Sequence, residues 1–511
     1  MIRRNRLVVL ALSVFVCAAG AQDEKKPDSK SNEKGPAFVA KEHVVTTTHT
    51  LVAPHAGGGD IEYTANAGYL ELPNYDGKTI GNIFFVAYTK NDAGNLADRP
   101  ITFAFNGGPG SSSVWLHMGA LGPKRVDMGE EGFKPDPPYD LIDNPYCWLP
   151  FTDLVFIDPV TTGYSRPAEG ERAGQFHGLD EDIRAVAEFI RLYVTRQQRW
   201  LSPKFLAGES YGTTRAAGLS GYLQNTYGMD LSGLVLVSPV LNFQTIRFAV
   251  GNEDPNWLYV PTYTATAWYH KKLAPELMRD RDATLREAEA WARTTYLVAL
   301  AQGDAIPERE RDEVATALAR YTGLSKEYVL ASNLRINIQN FCKELLRDRH
   351  RTVGRLDSRF EGLDRNSVGS SPDHDPSMTA ITGPYTACLY SYLRGELKYE
   401  NDLVYEILTG RVNPWSYARN ENSYANVAET MREAISKNPG LKVLYASGYY
   451  DLATPYFAMD YTASHLGLDP GLRGNIVAEY YDAGHMMYIR VQDLVKFTGD
   501  VEKFYEFARK K

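Results

Sequence analysis

LAGESYGTTRAAGLSGYL, Leu206 to Leu223, sets a serine between an acid and an aromatic and brackets the three with Gly208 and Gly212. KFLA, residues 204–207, is apolar and strand-like before it. TTRAAGLSGYL, residues 213–223, is compatible with a helix after it. A serine in a Gly-x-Ser-x-Gly turn between strand and helix stands exposed at the strand's end. The glycines let neighbouring backbone come close. The stretch therefore predicts strand, tight turn and helix, with Ser210 as the candidate nucleophile.

A serine hydroxyl is a poor nucleophile until a base takes its proton, and the base needs an orienting acid. In a hydrolase built on such a turn, the chain order is Ser, acid, His, with both partners just past late strands. LYASGYYDLATP, residues 444–455, puts Asp451 after one such strand. EYYDAGHMMY, residues 479–488, puts His485 after the next, in a glycine-containing turn. An oxyanion hole needs the backbone N–H of the residue after the nucleophile, Tyr211, and a second from an earlier strand-end loop. FAFNGGPGSSS, residues 103–113, is that loop, with Asn106, Gly107, Gly108, Pro109 and Gly110 following an apolar run.

Outward from these motifs, Thr46 to Tyr88 alternates apolar or β-branched with polar residues, as antiparallel strands at a sheet edge do. ITFAFNGG and DLVFID are continuous apolar runs, expected of strands buried on both faces. LDEDIRAVAEFIRLYVTRQ, residues 179–197, has helical spacing and early acids. LSGLVLVSPV, residues 231–240, is another strand. The alternation predicts a mostly parallel central sheet with helices on both faces, and with the Gly-x-Ser-x-Gly turn and the Ser, acid, His order the expected fold class is α/β, an α/β-hydrolase fold. Four helical runs lie between residues 242 and 420, and no strand-like run is read among them. This segment is expected to be a mainly helical cap inserted between core segments 41–241 and 421–511. GLDRNSVGSSPDHDPS, residues 362–377, is a polar loop. Its Asp373, His374 and Asp375 read as solvated rather than cation-binding.

The whole chain sets the frame. Its 511 residues suit a large domain with an insertion, or two domains, and 44% hydrophobic residues allow a sizeable core. The 33 tyrosines point to aromatic-lined clefts, with Trp115, Tyr211 and Trp268 as candidate walls. A net charge of −8 with no basic block argues against a nucleic-acid partner. MIRRNRLVVLALSVFVCAAGA, residues 1–21, has the charged start, short apolar run and small-residue end of a signal peptide. It is too short to span a bilayer, so the mature form is expected to be exported, periplasmic or secreted, with no membrane span. Its loss removes Arg3, Arg4 and Arg6 and no acid, making the mature chain more negative. Residues 22–40 form a polar leader expected to be disordered. Of four cysteines, Cys147, Cys342 and Cys388 survive cleavage, so at most one disulfide forms within the mature chain. No Cys/His spacing of metal type occurs, and no cofactor or metal is expected.

FNGGPGSSS, GALGP, NPYCW, LVFIDPVTTGYS, GESYG, SGYYD and DAGHM occur in the order seen in the serine carboxypeptidases, peptidase family S10. The chain resembles that family from about Gly68 to Phe507. The few cysteines and simple signal are similar to its bacterial branch. The resemblance implies Ser210 as nucleophile, His485 as base and Asp451 as its orienter. Gly108 and Tyr211 would give the oxyanion-hole amides. Asn106, the Gly107 amide and Glu209 would hold the terminal carboxylate of a peptide substrate. A desolvated Glu209 has a raised pKa, stays protonated at mildly acidic pH and donates a hydrogen bond to that carboxylate. The expectation is removal of C-terminal residues, favoured at acidic pH. Two positions depart from the pattern. Ser111-Ser112-Ser113 follows Gly110 where eukaryotic members have a cysteine, and Ala120 stands where a second carboxylate-binding glutamate is expected. The second departure keeps an alternative open: an esterase, amidase or acyltransferase acting on a small acyl substrate through the same triad.

Overall fold

The computed structural model describes residues 43–510 apart from 53, 56–58 and 418–419. The signal peptide and polar leader read from the sequence lie outside the described residues.

Nine strands set the frame: β1 (Val44–Leu51), β2 (Ile61–Pro73), β3 (Thr79–Lys90), β4 (Ile101–Phe105), β5 (Asp153–Ile157), β6 (Lys204–Glu209), β7 (Gly233–Val237), β8 (Lys442–Gly448) and β9 (Ile476–Tyr481). They lie in one sheet in the order β1-β2-β3-β5-β4-β6-β7-β8-β9, and Arg166–Pro167 adds a short tenth strand beside β3. From β5 to β9 every pairing is parallel. β1, β2 and β3 are antiparallel, as the alternation from Thr46 to Tyr88 predicts.

Every residue of β4, β5, β6 and β7 is buried, because helices cover both faces. Neighbouring side chains of β4 point to opposite layers. Phe103 meets Tyr193 of helix α1 (Leu179–Arg196) edge-on at 5.8 Å. Thr102 Oγ1 hydrogen-bonds Tyr505 Oη at 2.5 Å, on the long C-terminal helix Val491–Arg509. Phe205 of β6 stacks on the same Tyr505 at 4.0 Å. Each large apolar side chain so buried contributes roughly 1.5–3 kcal/mol. Helix α2 (Tyr211–Tyr227) shares the α1 layer, and Ala428–Lys437 packs on it.

The carboxyl ends of β4, β6, β8 and β9 carry Asn106, Ser210, Asp451 and His485 to the same edge of the sheet. Between β7 and β8 the described residues form helices that include Val260–Tyr269, Arg281–Trp291, Glu308–Thr322 and Pro376–Gly395. The expectation of no strand there needs correction. Thr352–Val353 and Glu361–Gly362 pair antiparallel. Two-residue strands carry no period, so nothing in the sequence announces them. Beyond Gly395 the chain turns irregular and returns to the core through isolated bridges, Glu406 to Gly163, Leu408 to Ser111 and Ser416 to Gly178. Cys147, Cys342 and Cys388 are buried free thiols, so the one disulfide the count allowed is not formed.

Candidate active site

The Ser210 turn follows from β6 ending against the start of α2. Ser210 takes φ 58° and ψ −129°, a backbone region costly for a residue with a side chain. Its N–H donates to Val237 O at 3.0 Å, and Thr213 N–H donates to its carbonyl at 2.9 Å, fixing the turn from both sides. The glycines are steric requirements. A Cβ on Gly208 would lie 2.3 Å from Gly212 O, and one on Gly212 would lie 2.7 Å from Phe105 O. One on Gly107 would lie 2.4 Å from Tyr211 N, so the Asn106 loop is pressed directly onto the turn.

Asp451 and His485 meet across 34 residues of chain, Oδ2 to Nδ1, at 2.6 Å. Asp451 is fully buried. Its Oδ1 accepts from the amides of Ala453 at 2.8 Å and Thr454 at 3.0 Å, and Oδ2 also accepts from Thr454 Oγ1 at 2.8 Å. The carboxylate is thereby locked in orientation. Burial opposes a charge on the His485 ring, but the Asp451 carboxylate and, more weakly, Glu209 outweigh it and raise the imidazole pKa above its usual 6.5. Ser210 and His485 line one cavity of about 180 Å³. Among the described residues no hydrogen bond joins the Ser210 hydroxyl to the ring. Nucleophile and base often tighten only on substrate binding.

Gly107, Gly108, Asn106 and Glu209 line the same cavity. Gly108 adopts φ +102°, which glycine alone takes readily. Among the described residues, neither the Gly108 nor the Tyr211 amide has a hydrogen-bond acceptor, so both are free to receive an oxyanion. Glu209 is 3% exposed, and desolvation pushes its carboxyl up to about 7 against the opposing pull of His485, Tyr488 and Asn106. Asn106 Nδ2 donates to Glu209 Oε1 at 2.9 Å, and Tyr488 Oη donates to Oε2. Ala120 is wholly buried beside Gly119, against which the Tyr488 ring packs. A phenol, not a second carboxyl group, thus partners Glu209.

Tyr488 was not legible as a site residue, although it closes the HMMY run that carries His485. Arg215 was likewise hidden in the quoted nucleophile stretch. It is 1% exposed, pairs through Nε with Asp182 Oδ2 at 2.7 Å and donates from Nη1 to Asn106 O at 2.6 Å. Its only sequence mark is a cation among small residues on a buried helix. The segment after Val353 is stitched to both late turns. His485 N–H donates to Leu356 O at 2.7 Å, Leu452 N–H to Arg355 O at 3.0 Å, and Gly484 N–H to Asp357 Oδ2 at 3.0 Å. Of the candidate aromatic walls, Trp115 lines the cavity. The others do not. Tyr211 turns its ring inward onto Trp415 at 5.5 Å. Trp268 packs on the apolar cluster of the inserted helices.

The chain matches the family model described as serine carboxypeptidase over residues 57–484. The pheromone-processing carboxypeptidase KEX1 of Yarrowia lipolytica is 29% identical over 177 residues, 34% of this chain and 26% of that protein. The putative serine carboxypeptidase-like 30 of Arabidopsis thaliana is 26% identical over 255 residues, 48% of this chain and 46% of that protein. The chain therefore aligns with less than half the length of these curated relatives. The crystal structure of KEX1(delta)p, a prohormone-processing carboxypeptidase from Saccharomyces cerevisiae, is similar in fold at TM-score 0.51 and 17% identity, over 87% of this chain and 91% of that one.

Proposed function

From the premise that this chain belongs to the serine carboxypeptidase family, we propose that it removes C-terminal residues from peptides through an acyl-enzyme at Ser210. The observation that carries the reading is the Asp451–His485 pair at 2.6 Å, set at a cavity that Ser210 and Glu209 also line. Ser210 Oγ attacks the scissile carbonyl while His485 takes its proton. Asp451 holds the ring and stabilises the imidazolium. The amides of Gly108 and Tyr211 receive the developing oxyanion. His485 returns the proton to the departing amine, and a water then attacks the ester by the same route.

Asn106, the Gly107 amide and Glu209 receive the terminal carboxylate. An ionised Glu209 would repel it. Below about pH 7 the buried carboxyl is neutral and can donate to it instead. In this reading residues 242–420 form a cap over core segments 41–241 and 421–511, and residues 1–21 export the chain to the periplasm or beyond. A peptide panel with free and amidated C-termini tests the proposal. Free termini should be cleaved far faster at mildly acidic pH, and equal rates would remove the exopeptidase reading.

Ala120 favours one second reading. With no second carboxyl beside Glu209, the same triad suits an esterase, amidase or acyltransferase. A simple ester turned over while every free-terminus peptide is refused would establish it.

A further inference from the structure

Arg355 lines the catalytic cavity with Ser210, Glu209 and His485 and is only partly buried. Its main chain is held firmly. The N–H donates to Asp375 Oδ1 at 3.1 Å, and the carbonyl receives Leu452 N–H beside Asp451. The side chain is different. Among the described residues, no carboxylate pairs with its guanidinium.

The acids around it are committed elsewhere. Asp357 holds Arg359 Nη2 at 2.7 Å and the Gly484 amide at 3.0 Å. Asp375 accepts the Arg355 amide and, at 3.0 Å, the Ser377 amide at the start of helix Pro376–Gly395. Asp451 holds His485, and both oxygens of Glu209 accept hydrogen bonds from Asn106 and Tyr488. A forked donor is thus held by its backbone at the cavity wall, with no carboxylate paired to it among the described residues. Guanidinium geometry matches a carboxylate in bidentate fashion.

We propose that Arg355 binds a carboxylate of the substrate. This rests on the peptidase reading above and deepens it. The carboxylate has two possible sources, the peptide's own C-terminus or an acidic side chain next to the scissile bond.

Calorimetric binding separates them without requiring turnover. N-acetyl-leucine against N-acetyl-leucine amide tests the terminal carboxylate. N-acetyl-glutamate α-amide against N-acetyl-glutamine α-amide tests the side chain. The native protein should bind the acid of at least one pair on the order of tenfold to a hundredfold more tightly, the range of a charge-assisted hydrogen bond. Arg355→Met keeps the aliphatic stem and should cut that difference on the order of tenfold, leaving only what Asn106, the Gly107 amide and Glu209 supply. Arg355→Lys should keep part of it, and thermal melting checks that both variants are folded. No acid preference in the native protein, or a preference undiminished in Arg355→Met, overturns the proposal. Labelling of Ser210 by an organophosphate reports separately on the triad. An acid preference without labelling would leave Arg355 as assigned and remove the hydrolase reading instead.

Discussion

Tyr488 donates its phenolic hydrogen to Glu209 across 279 residues of chain, while Asn106 donates to the other carboxyl oxygen. The acid next to the nucleophile is therefore held in place by two neutral donors in a desolvated pocket. Its protonation, not its orientation, is the variable that changes with pH.

In the proposed mechanism, productive binding of a terminal carboxylate needs Glu209 neutral, and attack needs His485 neutral. kcat/KM for free-terminus peptides should rise as the imidazole loses its proton and fall as Glu209 ionises near pH 7. Glu209→Gln should remove the falling limb. Stability carries the same sign. A carboxyl raised from 4.5 to about 7 in the fold costs stability as pH climbs between those values. The Tm of the native protein relative to Glu209→Gln should fall across that window, and a constant difference would contradict it.

Tyr488→Phe removes a hydrogen bond that favours ionised Glu209. The falling limb should move to higher pH than in the native protein, read from the pH dependence of kcat/KM. An unmoved limb would show that the phenol does not tune the acid.

How much of this was legible in the sequence depended on distance along the chain. GLVLV and ITFAF read as strands because five consecutive buried residues leave an unbroken apolar run. The Gly208–Gly212 turn read as a nucleophile turn because its steric demands fall on adjacent residues. Asp451 and His485 could be picked out because each follows its own strand by a few residues. The Tyr488–Glu209 bond, the Arg215–Asn106 bond and the stitching of Leu356 to His485 join residues far apart in sequence. Such pairings leave no periodic mark. The two-residue ladder of Thr352–Val353 with Glu361–Gly362 is too short to leave one either.

Arg215 bolts the Asn106 loop to α1, so its removal should be felt in both stability and activity. Arg215→Met leaves Asp182 buried and unpaired, at a cost of about 3–5 kcal/mol. It also frees the Asn106 carbonyl that Nη1 holds at 2.6 Å. Chemical denaturation should show the loss. A change under about 1 kcal/mol, the level of an exposed pair, would mean the pair does not hold the loop.

Gly208→Ala tests the turn sterically. The added methyl would meet backbone at 2.3 Å, where no side chain can swing away. Overpacking of this kind costs about 1–3 kcal/mol. Here the displaced atoms belong to the turn that presents Ser210, so labelling of Ser210 by an organophosphate should collapse even in folded protein. Labelling at the native rate would contradict the close approach.

The central claim is that Ser210 is acylated with His485 as its base. Its most direct test is turnover of a blocked dipeptide with a free C-terminus by native protein and by Ser210→Ala, with mass spectrometry of the quenched native enzyme. Loss of the serine should lower kcat on the order of 10⁶-fold, and the acyl group should map to Ser210. Release of the C-terminal residue at an undiminished rate by Ser210→Ala, or an acyl group on another residue, would contradict it.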